Sequence, residues 1–310
     1  MSLQISKFNP KQIEERRVNG AGPATCVFIG KRGTGKSTLV ADILYHCRKI
    51  PMGVAISATE DGNAFYSSHI PDIFIHSEYK ADVIQQIISR QKKAIAKNPG
   101  KKDTSNDAFV LLDDCMYDKK MIKDPNIRGI FMNGRHWRIT FMLTMQYCMD
   151  LPPDLRTNID FVFILRENII QNQDKLYKNF FGIFPHVDTF REVMNSCTEG
   201  FDCLVLDNTS RSNKISDCIY WYRAKPNRKF KIGSKALWDY HKNNYNDKHA
   251  TQEEQLDVNK TKKKPGISVK KVKSIKGKDN STKSTKSKGK ITNNYTGSPK
   301  RQKSSISLKK

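Results

Sequence analysis

The stretch "CVFIGKRGTGKSTLV", residues 26–40, runs from apolar residues into glycines, a lysine and two hydroxyls. Gly30, four residues, then Gly35-Lys36-Ser37 fit G-x-x-x-x-G-K-[ST] without a gap. Each part has a physical reason. A loop that wraps backbone N–H groups around phosphate oxygens needs the backbone freedom of glycine, present at 30, 33 and 35. A lysine at 36 reaches the β- and γ-phosphates, and a hydroxyl at 37 suits Mg²⁺. The helix expected from Ser37 directs its positive end at the same anion. The candidate nucleotide-binding residues are therefore Gly30, Lys31, Arg32, Gly33, Thr34, Gly35, Lys36, Ser37 and Thr38. Lys31 and Arg32 read first as solvated loop charges. The loop alone leaves ATP and GTP both open.

Outward from this loop, short apolar runs alternate with helical patterns. Strands are expected at 24–29, 53–59, 72–77, 108–115, 138–146, 159–165, 201–207 and 217–224. Helices are expected at 37–48, 78–97 and 125–134, after Pro152-Pro153, and through 170–197. The alternation predicts an α/β fold with a mostly parallel central sheet flanked by helices. The first 20 residues are polar and read as a flexible or partner-docking arm, residues 21–245 as one ATPase domain, and 246–310 as a disordered tail.

Composition supports that division. From Asn259 to Lys310 there are 18 Lys and Arg against one acid, Asp279, a net of +17 out of +24 for all 310 residues. With almost no aromatics, that segment cannot bury enough apolar surface to offset the entropy of ordering. Its lysines suit sequence-independent contact with a polyanion such as DNA; a nuclear-localisation signal or docking to an acidic partner are rival readings. The seven cysteines are scattered without a C-x-x-C pair and read as buried thiols. No apolar run approaches the length of a membrane span.

"FVLLDDC" supplies the metal-side acids. Asp113 closes an aliphatic strand in the position of a Walker B aspartate, so Ser37 and Asp113 are the candidate Mg²⁺ residues. Asp114 follows directly, as an acid that can polarise the attacking water. The next strand ends in "LTMQ", placing Gln146 where a polar tip can touch the γ-phosphate. Other classes lack their marks. There is no N-K-x-D segment for guanine, no second motor core as in two-core helicases, and no lid insertion of a small-molecule kinase.

Taken together, "GKRGTGKST", "FVLLDDC", "FMNGRHWRITFMLTMQY" and "LPPDLRTNIDFVFI" resemble the genome-packaging ATPases of large nucleocytoplasmic DNA viruses, the poxvirus-type branch of the FtsK–HerA superfamily. The resemblance covers about residues 22–224. It implies a RecA/FtsK-like P-loop NTPase that couples ATP hydrolysis, with Mg²⁺, to pumping double-stranded DNA into a capsid. It also implies a homo-oligomeric ring, capsid or portal-vertex partners, and a place in the virion and the host cytoplasm (the viral factory) or nucleus. Lys36 and Ser37 match the family's Walker A residues, Asp113 and Asp114 its Walker B pair, and Gln146 its sensor. Arg135 falls near the family's arginine between Walker B and the sensor strand and is the first candidate for an arginine finger, ahead of Arg156 and Arg166. Two other readings stay open: a non-translocating ATPase switch or scaffold in virion assembly, and a cellular FtsK–HerA-like DNA pump.

Overall fold

The computed structural model describes residues 3–97, 104–115 and 120–245. Its strands are β1 (Ser6–Lys7), β2 (Thr25–Ile29), β3 (Met52–Ser57), β4 (Ile75–His76), β5 (Ala108–Asp113), β6 (Ile139–Met145), β7 (Phe161–Ile164), β8 (Asp202–Asp207) and β9 (Ile219–Arg223). The helices are α1 (Lys11–Val18), α2 (Lys36–His46), α3 (Glu60–Asn63), α4 (Ala81–Lys97), α5 (Pro125–Asn133), α6 (Pro153–Arg156), α7 (Ile170–Phe180), α8 (Val187–Cys197), α9 (Ile215–Cys218) and α10 (Lys235–Asn244). The strands form one sheet in the order β1-β9-β8-β7-β2-β6-β5-β3-β4.

β2 is apolar and fully buried because it lies mid-sheet with helices over both faces. The pleat sends Val27 and Ile29 into one core and Cys26 and Phe28 into the other. The first core also holds Ile84, Ile87 and Ile88 of α4 and Ile127 and Ile130 of α5. The second holds Leu39, Val40, Ile43 and Leu44 of α2. β2 pairs in parallel with β6 and β7, and β5 in parallel with β3 and β6. The C-terminal ends of these five strands therefore share one edge, where ligands bind in open α/β sheets. On the other flank β7–β8 and β8–β9 are antiparallel. The sheet is mostly parallel, as expected, with one antiparallel flank that apolar periodicity could not reveal.

Several expected boundaries move. Residues 72–77 make a 3₁₀ turn, Asp72–Phe74, and the two-residue β4. The helical stretch 170–197 divides into α7 and α8 around "FGIFPH", where Gly182 and Pro185 interrupt it. The helix after Pro152 is a single turn. The basic tail and the 246–310 boundary lie outside the described residues.

The largest departure is at the N-terminus. The first 20 residues are expected to be a flexible or partner-docking arm, but residues 3–20 contribute an edge strand and a docked helix. β1 pairs in parallel with β9, and the Phe8 N–H donates to the Trp221 carbonyl at 2.8 Å. Phe8 is 2% exposed, edge-on to Phe161, Phe163, Tyr220 and Tyr222, and Ile13 is buried beside it. The polar residues that suggested an arm are used in pairing: Arg17 bonds Glu14 and the buried Asp107. Two apolar anchors are too few to show as a periodic pattern, yet they suffice to dock the segment. Phe8→Ala is expected to cost about 3–5 kcal/mol of stability, read by urea denaturation; an arm residue would cost almost nothing.

Of the last-strand aromatics, Tyr222 is core, its hydroxyl donating to the buried Asp42. The seven cysteines are free, and burial pushes the Cys47 thiol up to about 12. Among the described residues no helix is long and apolar enough to cross a membrane.

Candidate nucleotide site

The loop between β2 and α2 lies at the C-terminal edge of the sheet. Its shape depends on two glycines in particular. A side chain on Gly30 would start 2.8 Å from Thr34 Oγ1 and 2.9 Å from Leu165 Cβ, so the close approach of the loop to β7 requires its absence. Gly35 caps α2 at φ 93°, a left-handed conformation that costs glycine nothing. Lys36, the first residue of α2, is 9% exposed. Its ammonium donates back to the carbonyls of Gly30 at 2.8 Å and Lys31 at 3.1 Å. Burial pulls it below its ordinary value, and the Asp114 and Asp113 charges oppose that shift.

Asp113 ends β5 and is 2% exposed. Three hydroxyls converge on its carboxylate: Thr144 at 2.6 Å, Tyr66 at 2.8 Å and Ser37 at 3.4 Å. Thr144 comes from β6 and is itself fully buried. Its hydroxyl oxygen also accepts from the Asp114 N–H at 2.9 Å, locking the two acids to the sensor strand. Burial, then the Asp113 charge, holds the Tyr66 phenol well above its ordinary range, so it remains a donor. Asp114 sits at φ 54°, a left-handed conformation that Asp and Asn visit more readily than other non-glycine residues. Gln146, just past β6, donates from Nε2 to Asp114 Oδ1 at 2.8 Å. Five of the expected residues (Lys36, Ser37, Asp113, Asp114 and Gln146) are thus in one site. A cleft of about 710 Å³ opens over Lys36, Ser37, Asp113 and Asp114, with Arg32, Gly33, Thr38, Thr59, Asn63 and Phe201 also on its walls.

A family described as "Poxvirus A32 protein" matches residues 14–182, more than half of the chain. The chain belongs to the poxvirus A32 protein family. It is 42% identical over 225 residues to an uncharacterized protein of Acanthamoeba polyphaga mimivirus, covering 71% of this chain and 79% of that one. It is 37% identical over 255 residues to one of Invertebrate iridescent virus 6, covering 79% and 96%. Among solved structures, the genome packaging NTPase B204 from Sulfolobus turreted icosahedral virus 2 in complex with ATP-gammaS aligns at TM-score 0.45 and 17% identity, covering 66% of this chain and 97% of that one.

In this A32-family chain three expected site residues stand elsewhere or are otherwise engaged. Lys31 is not a free loop charge: its ammonium pairs with Glu167 at 2.6 Å. Burial alone would push the Glu167 carboxyl up, but Lys31, the Ile169 N–H and Asn172 hold it below the usual carboxylate range. Thr34 turns inward, its hydroxyl donating to the Lys31 carbonyl at 2.7 Å, so it shapes the loop. Arg135, expected to be catalytic, pairs with Asp160 at 2.7 Å. Asp160 also takes Arg16 and the Thr25 N–H, at the start of β2. That is the N-terminal edge of the sheet, roughly 15 Å from the loop, since β2 spans five residues. Arg135 therefore has a local ion pair, its side chain stays half exposed, and it does not reach the phosphate loop of the same chain. His136 is exposed beside it. Arg156 bonds the Leu151 carbonyl and Asn179, and lies over Phe180. Arg166 follows β7 at the nucleotide edge, exposed.

Sequence reasoning missed Tyr66, Thr144, Glu167 and Phe201. Thr144 had a signal: a hydroxyl inside a continuous apolar strand must find a partner when buried. Tyr66 had none, because it meets Asp113 from 47 residues away.

Proposed function

We propose that this chain hydrolyses ATP to drive double-stranded DNA into a viral capsid, acting as a ring of identical subunits. The observation that carries the hydrolysis is the joint placement of Lys36, Ser37, Asp113, Asp114 and Gln146 at one edge of the sheet. A loop that only held a phosphate would need neither the second acid nor its glutamine partner. The direction of that hydrolysis toward DNA packaging rests on the family and on the basic C-terminal segment.

The Ser37 hydroxyl and the Asp113 carboxylate are hard oxygen donors brought within 3.4 Å of each other, a set that fits Mg²⁺. When bound, Mg²⁺ neutralises charge on the β- and γ-phosphates. Thr144 and Tyr66 hold the Asp113 carboxylate in place for it. Lys36 exchanges its two carbonyl acceptors for phosphate oxygens. Asp114 accepts a proton from the attacking water, and Gln146 fixes the carboxylate through its amide. Asp replaces the longer Glu often found there, and the left-handed backbone at 114 sets where the shorter side chain points.

The test is ATP turnover, by phosphate release, with and without duplex DNA. Duplex is expected to raise turnover in the assembled form, and the rise should fade steeply with salt, because added salt reduces the gain from counterion release. Turnover that ignores DNA at low salt would leave an ATPase switch in virion assembly and remove the motor.

A further inference from the structure

Among the described residues, Phe201 is the most exposed of the large apolar side chains, at 70%. It is not at the periphery: it stands on the wall of the nucleotide cleft, and a side chain on Gly35 would start 3.3 Å from its ring. Its backbone is left-handed, φ 73°, directly after Gly200 at φ 54°. A bulky residue rarely adopts that conformation, and nothing in the core is gained by it, because the ring faces water. The turn is fixed from behind: Asp202, the first residue of β8, accepts from the Arg223 guanidinium of β9. An aromatic ring is thus held out, under strain, beside the phosphate loop.

The topology gives the ring its use. β8 is antiparallel to β7, with Leu204 opposite Ile164 and Asp207 opposite Phe161. The start of β8 therefore lies at the edge where β2 ends and the loop begins. It lies on the β7 side of β2, whereas Asp113, Asp114 and Gln146 follow β5 and β6 on the other side. A triphosphate whose γ-phosphate meets those three residues runs its nucleoside the opposite way, toward Phe201. Base faces stack on aromatic rings regardless of base identity.

We propose that Phe201 is the platform on which the base of the bound nucleoside triphosphate stacks. This rests on the nucleotide reading of the loop above. It makes Phe201 a binding residue that recognises a nucleoside, where Lys36 recognises only phosphate.

The experiment compares Mg·ATP with Mg·tripolyphosphate, which lacks the base, by isothermal titration. Phe201→Gly suits the purpose, because glycine takes the left-handed backbone without strain and little burial is lost. Its melting temperature is expected to hold or rise, while its Kd for ATP weakens about 10-fold. Its Kd for tripolyphosphate should not change, and Phe201→Tyr should bind ATP as wild type does. Unchanged ATP affinity in Phe201→Gly, or equal losses for both ligands, overturns the platform and leaves the phosphate loop standing. A lower melting temperature with no loss specific to ATP assigns the ring to the fold and overturns it too. Wild-type protein that binds neither ligand overturns the loop reading itself.

Discussion

Lys36→Met is expected to lower ATP turnover at least about 100-fold, the usual cost of removing one donor aimed at charge that develops in the transition state. The same change should leave stability equal or higher. Wild-type Lys36 is a nearly buried ammonium held by two carbonyls, and burial already pulls its proton affinity below normal. Methionine keeps the apolar stem and removes the desolvated charge. The two variants should also differ in their response to alkali. Between the lowered folded value and the ordinary 10.5, the unfolded chain holds more protons at this residue than the native one. Stability contributed by this position therefore rises with pH across that window in the wild type, and is flat in Lys36→Met. Phosphate release measures the first effect and thermal melting from neutral pH to about 10.5 the second. A variant with normal turnover sinks the assignment of Lys36 to the phosphates.

Asp114→Asn should retain ATP binding and lose turnover by about 100- to 10,000-fold, the range for removing a positioned general base. The substitution is unusually clean. Asparagine tolerates left-handed backbone, so φ 54° is kept. The Asp114 N–H still donates to Thr144, and an amide oxygen still accepts from Gln146. What disappears is the capacity to take a proton. Asp113→Asn is not equivalent, since that carboxylate is buried beneath three hydroxyls and its loss disturbs the frame as well. Titration of Mg·ATP alongside single-turnover hydrolysis separates binding from chemistry. Wild-type turnover in Asp114→Asn would take the residue out of the mechanism, and lost binding would move it to the nucleotide frame.

Much of this site is legible in the chain because its parts are local. Gly30 to Ser37 is one uninterrupted pattern, and its glycines, lysine and hydroxyl each answer a separate demand of a bound phosphate. Asp113, Asp114 and Gln146 are legible for a related reason. A parallel sheet sends the residues just past each strand to one edge, so polar tips after apolar runs can be read together. Gly35 takes the left-handed cap for which its position calls.

Tertiary structure decided what depends on distant pairings. Phe8 docks a polar segment through aromatic neighbours some 150 to 210 positions away, and no local period announces it. Arg135, a finger candidate for a neighbouring subunit by its place in "NGRH", lies within one chain at the N-terminal edge, where Asp160 pairs with it. Tyr66 reaches Asp113 from a separate loop. Phe201 comes beside Gly35 only because β8 turns antiparallel on β7. The sequence by itself determined what the loop holds and which acids accompany it, since those follow from strand ends and spacing. Only the folded chain decided which arginine, tyrosine and phenylalanine share that edge, since strand order and direction bring remote residues together and leave no mark on local pattern.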